Sequence, residues 1–196
     1  MLSLSTYKTA FIAIVFIGVF ICCIPSVMLF VHSSGVETFS ELYALGPGHM
    51  AYDYPYDVQA NVHYSVYLGV GNHMGKSVYY EVRVKFRNST EPLPNVTTSE
   101  SSSLPVLYKY RVFLSDGDVW EAPLNFTLLD VAFEGNVSSV GRLGINGVII
   151  DVAKMVSWDN ATGGFYYQVF VELWRHNVTS NSFGFDNRFI CLWLNL

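Results

Sequence analysis

Cysteine is scarce in this chain, with 3 in 196 residues. Cys22 and Cys23 sit inside an apolar run, so Cys191 stands alone in the remainder and no disulfide can form there. A domain without one must rest on its hydrophobic core. Cys191 alternates with apolar neighbours in Ile190-Cys191-Leu192-Trp193-Leu194, the setting of a buried and inert thiol. Charge is scarce too, at 14% of residues against the roughly 25% of soluble proteins, so part of the chain should avoid water. The 11 basic residues are outnumbered by 16 acidic ones, which offers no footprint for nucleic acid. No nucleophile elbow, phosphate-cradling Gly loop, HExxH helix or CxxC pair is present, so neither an enzyme nor a cofactor is expected.

The region that avoids water comes early. Residues 10–31 form 22 consecutive positions without a charged side chain. At about 1.5 Å per residue, a helix of that length crosses a hydrocarbon core of roughly 30 Å. A cleaved signal peptide competes for this segment, but the run exceeds an h-region of about 7–15 residues and lacks an Ala-x-Ala-like site. A retained transmembrane helix with Pro25 inside it is the reading taken. Lys8 precedes the run and the next basic residue is Lys76, so residues 1–9 are expected in the cytoplasm and 32–196 outside the cell.

A second pattern agrees with that side of the membrane. N-x-Ser/Thr acceptor sites occur at Asn88, Asn95, Asn125, Asn136, Asn160 and Asn177. Chance pairing of 12 Asn with 28 Ser and Thr predicts about 1.7 such sites, and all six fall after the apolar run. N-linked glycans are therefore expected on residues 32–196.

That part reads as strands, because apolar residues recur at period 2 and not at helical spacing. In Val78 to Arg87, Val78, Tyr80, Val82, Val84 and Phe86 share one face, while Tyr79, Glu81, Arg83, Lys85 and Arg87 share another that should meet water. Val62 to Val70 precedes it across the turn residues 71–76, which predicts a hairpin. Val106 to Leu114 and Val119 to Leu129 come next, the latter marked by Pro123 as an edge strand or a break. Phe165 to Trp174 and Arg188 to Leu194, separated by a loop from Asn177 to Asn187, close the set. Phe39 to Leu45 and Gly144 to Val152 are further candidates, with a short helix over Val148 to Val156 as the alternative. Glu91 to Ser103, rich in Pro, Ser and Thr, reads as a long mobile loop. About seven or eight strands with both apolar faces to cover predict a mainly β, two-sheet sandwich.

Few residues here gather into chemistry. His49, His63, His73, Asp53 and Asp57 lack metal-motif spacing, so no metal site is expected. Asn72-His73 is better read as capping a hairpin, and Asp116-Gly117-Asp118 as a turn. Tyr52, Tyr54 and Tyr56, alternating with Asp53 and Pro55, offer an aromatic platform for a protein or a sugar, or else rings packed on the sandwich.

The order Leu45-Gly46-Pro47, Ala51-Tyr52-Asp53-Tyr54-Pro55, Val70-Gly71-Asn72-His73 and Tyr80-Glu81-Val82 resembles a family of archaeal membrane proteins known only as a domain of unknown function, the DUF sixteen-sixteen group. The resemblance covers roughly Glu37 to Leu129. It implies an archaeal surface location and an immunoglobulin-like outer domain, and it carries no chemistry. Members often have several spans where this chain has one.

Together these readings predict a single-pass accessory or interaction protein of the archaeal envelope that holds another envelope protein, or itself, through its sandwich. A pilin-like or filament-associated subunit and a sugar- or solute-binding ectodomain are the alternatives. Against the pilin, Tyr7-Lys8-Thr9-Ala10 lacks a charged-Gly processing pair.

Overall fold

Alternating apolar residues from Phe39 onward build nine antiparallel strands rather than seven or eight. They are β1 (Phe39–Leu45), β2 (Tyr64–His73), β3 (Val78–Asn88), β4 (Tyr108–Leu114), β5 (Val119–Glu134), β6 (Val137–Ile145), β7 (Val148–Ser157), β8 (Tyr166–Asn177) and β9 (Ser182–Asn195). The computed structural model describes residues 7–8, 11–21 and 37–196. It divides into two units, Met1–Thr38 and Phe39–Leu196.

In the first unit residues 11–21 are helical, and none of them has a polar side chain. Eleven residues rise about 16 Å, half of a hydrocarbon core. Among the described residues no helix is long and apolar enough to cross a membrane. The expected span over residues 10–31 extends past this helix, and residues 10 and 22–31 lie outside the described residues.

In the second unit one sheet has the order β1-β2-β5-β6-β7 and the other β4-β3-β8-β9. Their apolar faces share a core in which Val66, Leu68, Leu124, Phe126, Leu143 and Ile145 of the first sheet meet Val82, Val84, Phe86, Val169, Val171 and Leu173 of the second, all buried.

Several expectations change here. β2 and β3 do not form a hairpin, since β2 pairs with β1 and β5 while β3 pairs with β4 and β8. The chain crosses between sheets instead, because both strands turn apolar residues to the core and two sheets are needed to close it. Buried Asn72 ties this crossing and the one from β4 to β5. Its Nδ2 donates to the carbonyls of Lys76 (2.8 Å), Leu114 (3.0 Å) and Ser115 (3.0 Å). Its Oδ1 accepts from the Met74 amide and the Tyr80 hydroxyl, so it caps a crossing rather than a hairpin.

β5 lies inside its sheet, contrary to the edge position read from Pro123. Pro123 pairs with Tyr67 of β2, but pairing with β6 starts only at Phe126, so the proline sits where one side of the strand is free. The candidate strand from Gly144 to Val152 is split by a turn at Asn146 (φ 47°) and Gly147 (φ 83°), the positive-φ pair of a tight hairpin. β7 is a strand, not the alternative helix. β6 was illegible because its buried set changes phase, from Ser138 and Val140 to Leu143 and Ile145, where the β6–β7 register shifts. The loop read over Asn177 to Asn187 is mostly strand, as β9 already starts at Ser182.

The largest correction concerns the charged side of β3. Glu81, Lys85 and Arg87 are 1%, 2% and 5% exposed, not in water. Residues 89–107, the connection from β3 to β4, reach over this side. Lys85 Nζ donates to the Ser102 carbonyl (2.6 Å), and the Ser102 amide donates to Glu172 Oε1 (2.8 Å). That connection was expected to be a mobile loop, but these bonds pin it at the buried Ser102.

Candidate functional site

The Leu45-Gly46-Pro47 turn sets up an exposed aromatic feature of the domain. The Gly46 amide donates to the Met50 carbonyl (2.7 Å), and a Cβ on Gly46 would collide with the Tyr52 carbonyl oxygen. Only glycine allows this close return of the chain. The returning segment then pairs with the end of β9. The Asn195 amide donates to the Tyr56 carbonyl (2.7 Å) and the Val58 amide to the Asn195 carbonyl (2.8 Å). The Tyr54 hydroxyl donates to the Ala44 carbonyl (2.9 Å), joining the segment to β1.

These bonds frame a groove of about 340 Å³ lined by Ala44, Tyr54, Pro55, Tyr56, Ile190, Cys191, Leu192 and Trp193. Tyr54, Tyr56 and Trp193 are 39%, 49% and 49% exposed. Tyr166 lies between the last two, its ring 6.5 Å from Tyr56 and 6.2 Å from Trp193. Of the three tyrosines anticipated as a platform, the structure brings Tyr54 and Tyr56 together, while Tyr52 does not line the groove. Trp193 was missed, although the alternation in β9 that buries Leu192 and Leu194 turns Trp193 outward. Burial pushes the Cys191 thiol up to about 11, against the pull of Arg87, so it is a poor nucleophile in the wall of the groove.

The covered side of β3 is the second polar feature. Glu81 meets Arg83 Nε (2.6 Å), Arg111 Nε (2.8 Å) and Lys109 Nζ (3.6 Å). Burial raises its pKa, but hydrogen bonds from Arg111 and Arg83 outweigh this and hold it below the ordinary value. Lys85 Nζ lies 3.0 Å from Glu172 Oε2, which also accepts from Trp174 Nε1 at 2.9 Å. Arg83 stacks over the Trp174 ring at 3.5 Å. These ion pairs tie strands together within the chain, while the buried Arg87 donates to Gln168 Oε1 and to the carbonyls of Asn88 and Ser89.

The histidines and aspartates weighed as ligands are separated. His49 stacks on Tyr67, His63 Nδ1 bonds Thr127 Oγ1 (2.7 Å), and His73 stacks on Phe39. Asp57 accepts from Asn195. Among the described residues no three His, Cys, Asp or Glu side chains converge as a metal site would require.

The acceptor asparagines differ in availability. Asn95, Asn125, Asn136, Asn160 and Asn177 are exposed, whereas Asn88 is half-buried and its Nδ2 donates to the Met155 carbonyl (2.8 Å). None lines the aromatic groove, while Asn177 lines a larger cavity of about 570 Å³ beside Tyr79 and Arg175.

The fold and these contacts describe a two-sheet β domain, with charged and aromatic side chains in the contacts given above. The model of a Domain of unknown function (DUF1616) matches residues 33–135, over half of the chain, and the chain belongs to that family. The match runs through β1 to β5, and the motifs that suggested it have structural roles: Gly46 permits a close turn and Asn72 ties two crossings. No curated protein matches the sequence. Among solved structures, a β-glucosidase from Listeria innocua in complex with gluconolactone is similar over 81% of this chain and 16% of its own, with 10% identity and a TM-score of 0.39. A Bacteroides uniformis β-glucuronidase 2 is similar over 79% of this chain and 13% of its own, with 10% identity and a TM-score of 0.35. A chain of the complex between Zinc 2-glycoprotein and Prolactin inducible protein from human seminal plasma is similar over 84% of this chain and 99% of its own, with 9% identity and a TM-score of 0.37. The chain thus spans less than a fifth of either enzyme. At these scores the likenesses assign no chemistry.

Proposed function

We propose that this protein is a single-pass accessory or interaction protein of the archaeal envelope, not an enzyme, which holds another envelope protein at the outer membrane face. The observation that carries the reading is the groove of Tyr54, Tyr56 and Trp193, an exposed aromatic surface that no acceptor asparagine lines. Aromatic anchors of this kind dominate protein interfaces, and glycan-free surface is where a partner can approach. The apolar helix over residues 11–21 and the uncharged run to residue 31 supply the anchor.

Five of the six acceptor asparagines are exposed, as export would require, but they do not share one end of the sandwich, since Asn177 ends β8 at the end where Phe39 lies. Asn88 ends β3, Asn136 lies in the β5–β6 turn and Asn160 follows β7, all at the end of the sandwich away from Phe39. The β4-β3-β8-β9 sheet supports an immunoglobulin-like reading, since its inner strands are joined as in the CFG sheet. The other sheet departs from it, because β5 sits directly beside β2 and then meanders through β6 and β7.

Crosslinking mass spectrometry on native membranes tests the reading. Links from the exposed Asp53 and Asp57, which flank the groove tyrosines, to a different envelope protein are expected, and Tyr56→Ala with Trp193→Ala should lower their yield at least tenfold. Links solely between copies of this chain would instead favour the filament reading. A saccharide ligand is the second reading, favoured by the same exposed rings, and would appear as a groove-dependent rise in Tm with glycans present.

A further inference from the structure

The turn between β5 and β6 places an acceptor asparagine beside exposed aromatic rings. Asn136 follows Gly135 (φ 58°) in this turn, and its carbonyl accepts from the Trp158 amide at 2.8 Å, so Trp158 stands directly across from it. Phe133 lies three residues before Asn136. Trp158 is 39% and Phe133 56% exposed. Phe165 joins them, with its ring 5.0 Å from Trp158 and 5.5 Å from Phe133. Beside Trp158 opens a groove of about 490 Å³ whose other walls include Ser89, Val137, Ser157 and Asp159. Apolar rings bordered by hydroxyl and carboxylate groups match a saccharide, which shows apolar C–H faces ringed by hydroxyls.

We propose that Asn136 carries an N-linked saccharide whose first residues lie on Phe133 and Trp158 and fill this groove. The proposal rests on the export reading given above. In the transfer, Asn136 Nδ2 bonds to the anomeric carbon of a saccharide carried on a lipid phosphate. The bond from that carbon to the phosphate oxygen breaks, the lipid phosphate leaves with the electron pair, and one amide proton passes to solvent. The acceptor hydroxyl of Ser138 is fully buried, its Oγ 2.9 Å from the Tyr167 hydroxyl. An enzyme that reads this hydroxyl must therefore act before β6 docks. Once attached, the saccharide is tethered next to the rings, and that high local concentration favours the seat without affinity for free sugar.

The test compares full-length protein from its N-glycosylating native host with the same chain from a host lacking N-glycosylation. Glycopeptide mass spectrometry is expected to find Asn136 occupied. In the glycosylated protein, Asn136→Gln should lower Tm by about 3–5 °C, while Asn95→Gln, at an acceptor in the β3–β4 connection, should not. In the unglycosylated protein Asn136→Gln should change nothing. Phe133→Ser alters an exposed ring, and it should cancel most of the effect of the Asn136 glycan. A modified Asn136 whose loss leaves Tm unchanged would overturn the seat, and so would an unmodified Asn136 in a chain glycosylated at other sites. Absence of glycan at all six asparagines would instead overturn the export reading itself.

Discussion

β3 and the first half of β5 share one sequence rule and meet different surroundings. Both alternate apolar and polar positions. In β5 the outward residues Val119, Glu121, Pro123 and Asn125 are exposed, while Leu124 and Phe126 are buried. In β3 the outward Glu81, Lys85 and Arg87 are buried almost as deeply as the inward Val82 and Val84. The difference lies in the segment that each strand leads into. β5 turns at once into β6, whereas β3 runs into the 19 residues 89–107 that reach over its own outer side. Alternation therefore reports which residues face the core, and it is silent on whether the opposite face meets water.

If that covered face is built on paired charges, removing one partner should have the largest effect in the domain. Lys85→Met or Glu172→Leu alone is expected to cost about 3–5 kcal/mol in urea unfolding of the chain, because each leaves its partner charged and buried. The double variant should recover most of that loss, as an apolar pair needs no compensation. Equal destabilisation by the singles and the double would mean that residues 89–107 are held by something else.

Acid should separate the two regions next. The Glu81 pKa is depressed in the folded chain, so its contribution to stability is fully present above its unfolded value near 4.5 and is lost as pH falls through the lower folded value. Stability measured from pH 6 downward should therefore decline in that window, and Glu81→Gln should flatten the decline. Val119→Thr on β5, which changes no charge, should leave the slope unchanged.

The smallest effect belongs to the open face. Val119→Thr is expected to shift stability by no more than about 0.5 kcal/mol, since the residue is 55% exposed and on a strand without cover. A loss above about 1.5 kcal/mol would show that β5 is covered as β3 is, and would remove the contrast.

Much of the fold was legible because strands announce themselves through period 2. β1 and β3 fall where their alternation puts them, and β8 begins within one residue of its expected start. The tyrosine segment was legible as an aromatic feature by composition. Trp193 was not, because nothing in the sequence says that β9 brings it alongside residues 54–56. β6 was hidden because its register shift moves the buried set from even to odd positions, which breaks the pattern that identifies a strand.

Taken alone, the sequence determined that the chain is mainly β from Phe39 onward, that it carries an uncharged run over residues 10–31, and that no disulfide can form within residues 32–196. These are local properties of composition and spacing, and tertiary context does not alter them. Only the tertiary structure decided that β2 and β3 part into different sheets, that Asn72 ties two crossings, that Lys85 and Glu172 pair beneath the β3–β4 connection, and that Asn136 stands opposite Trp158. Each depends on residues far apart in the chain meeting in space, which no local pattern encodes.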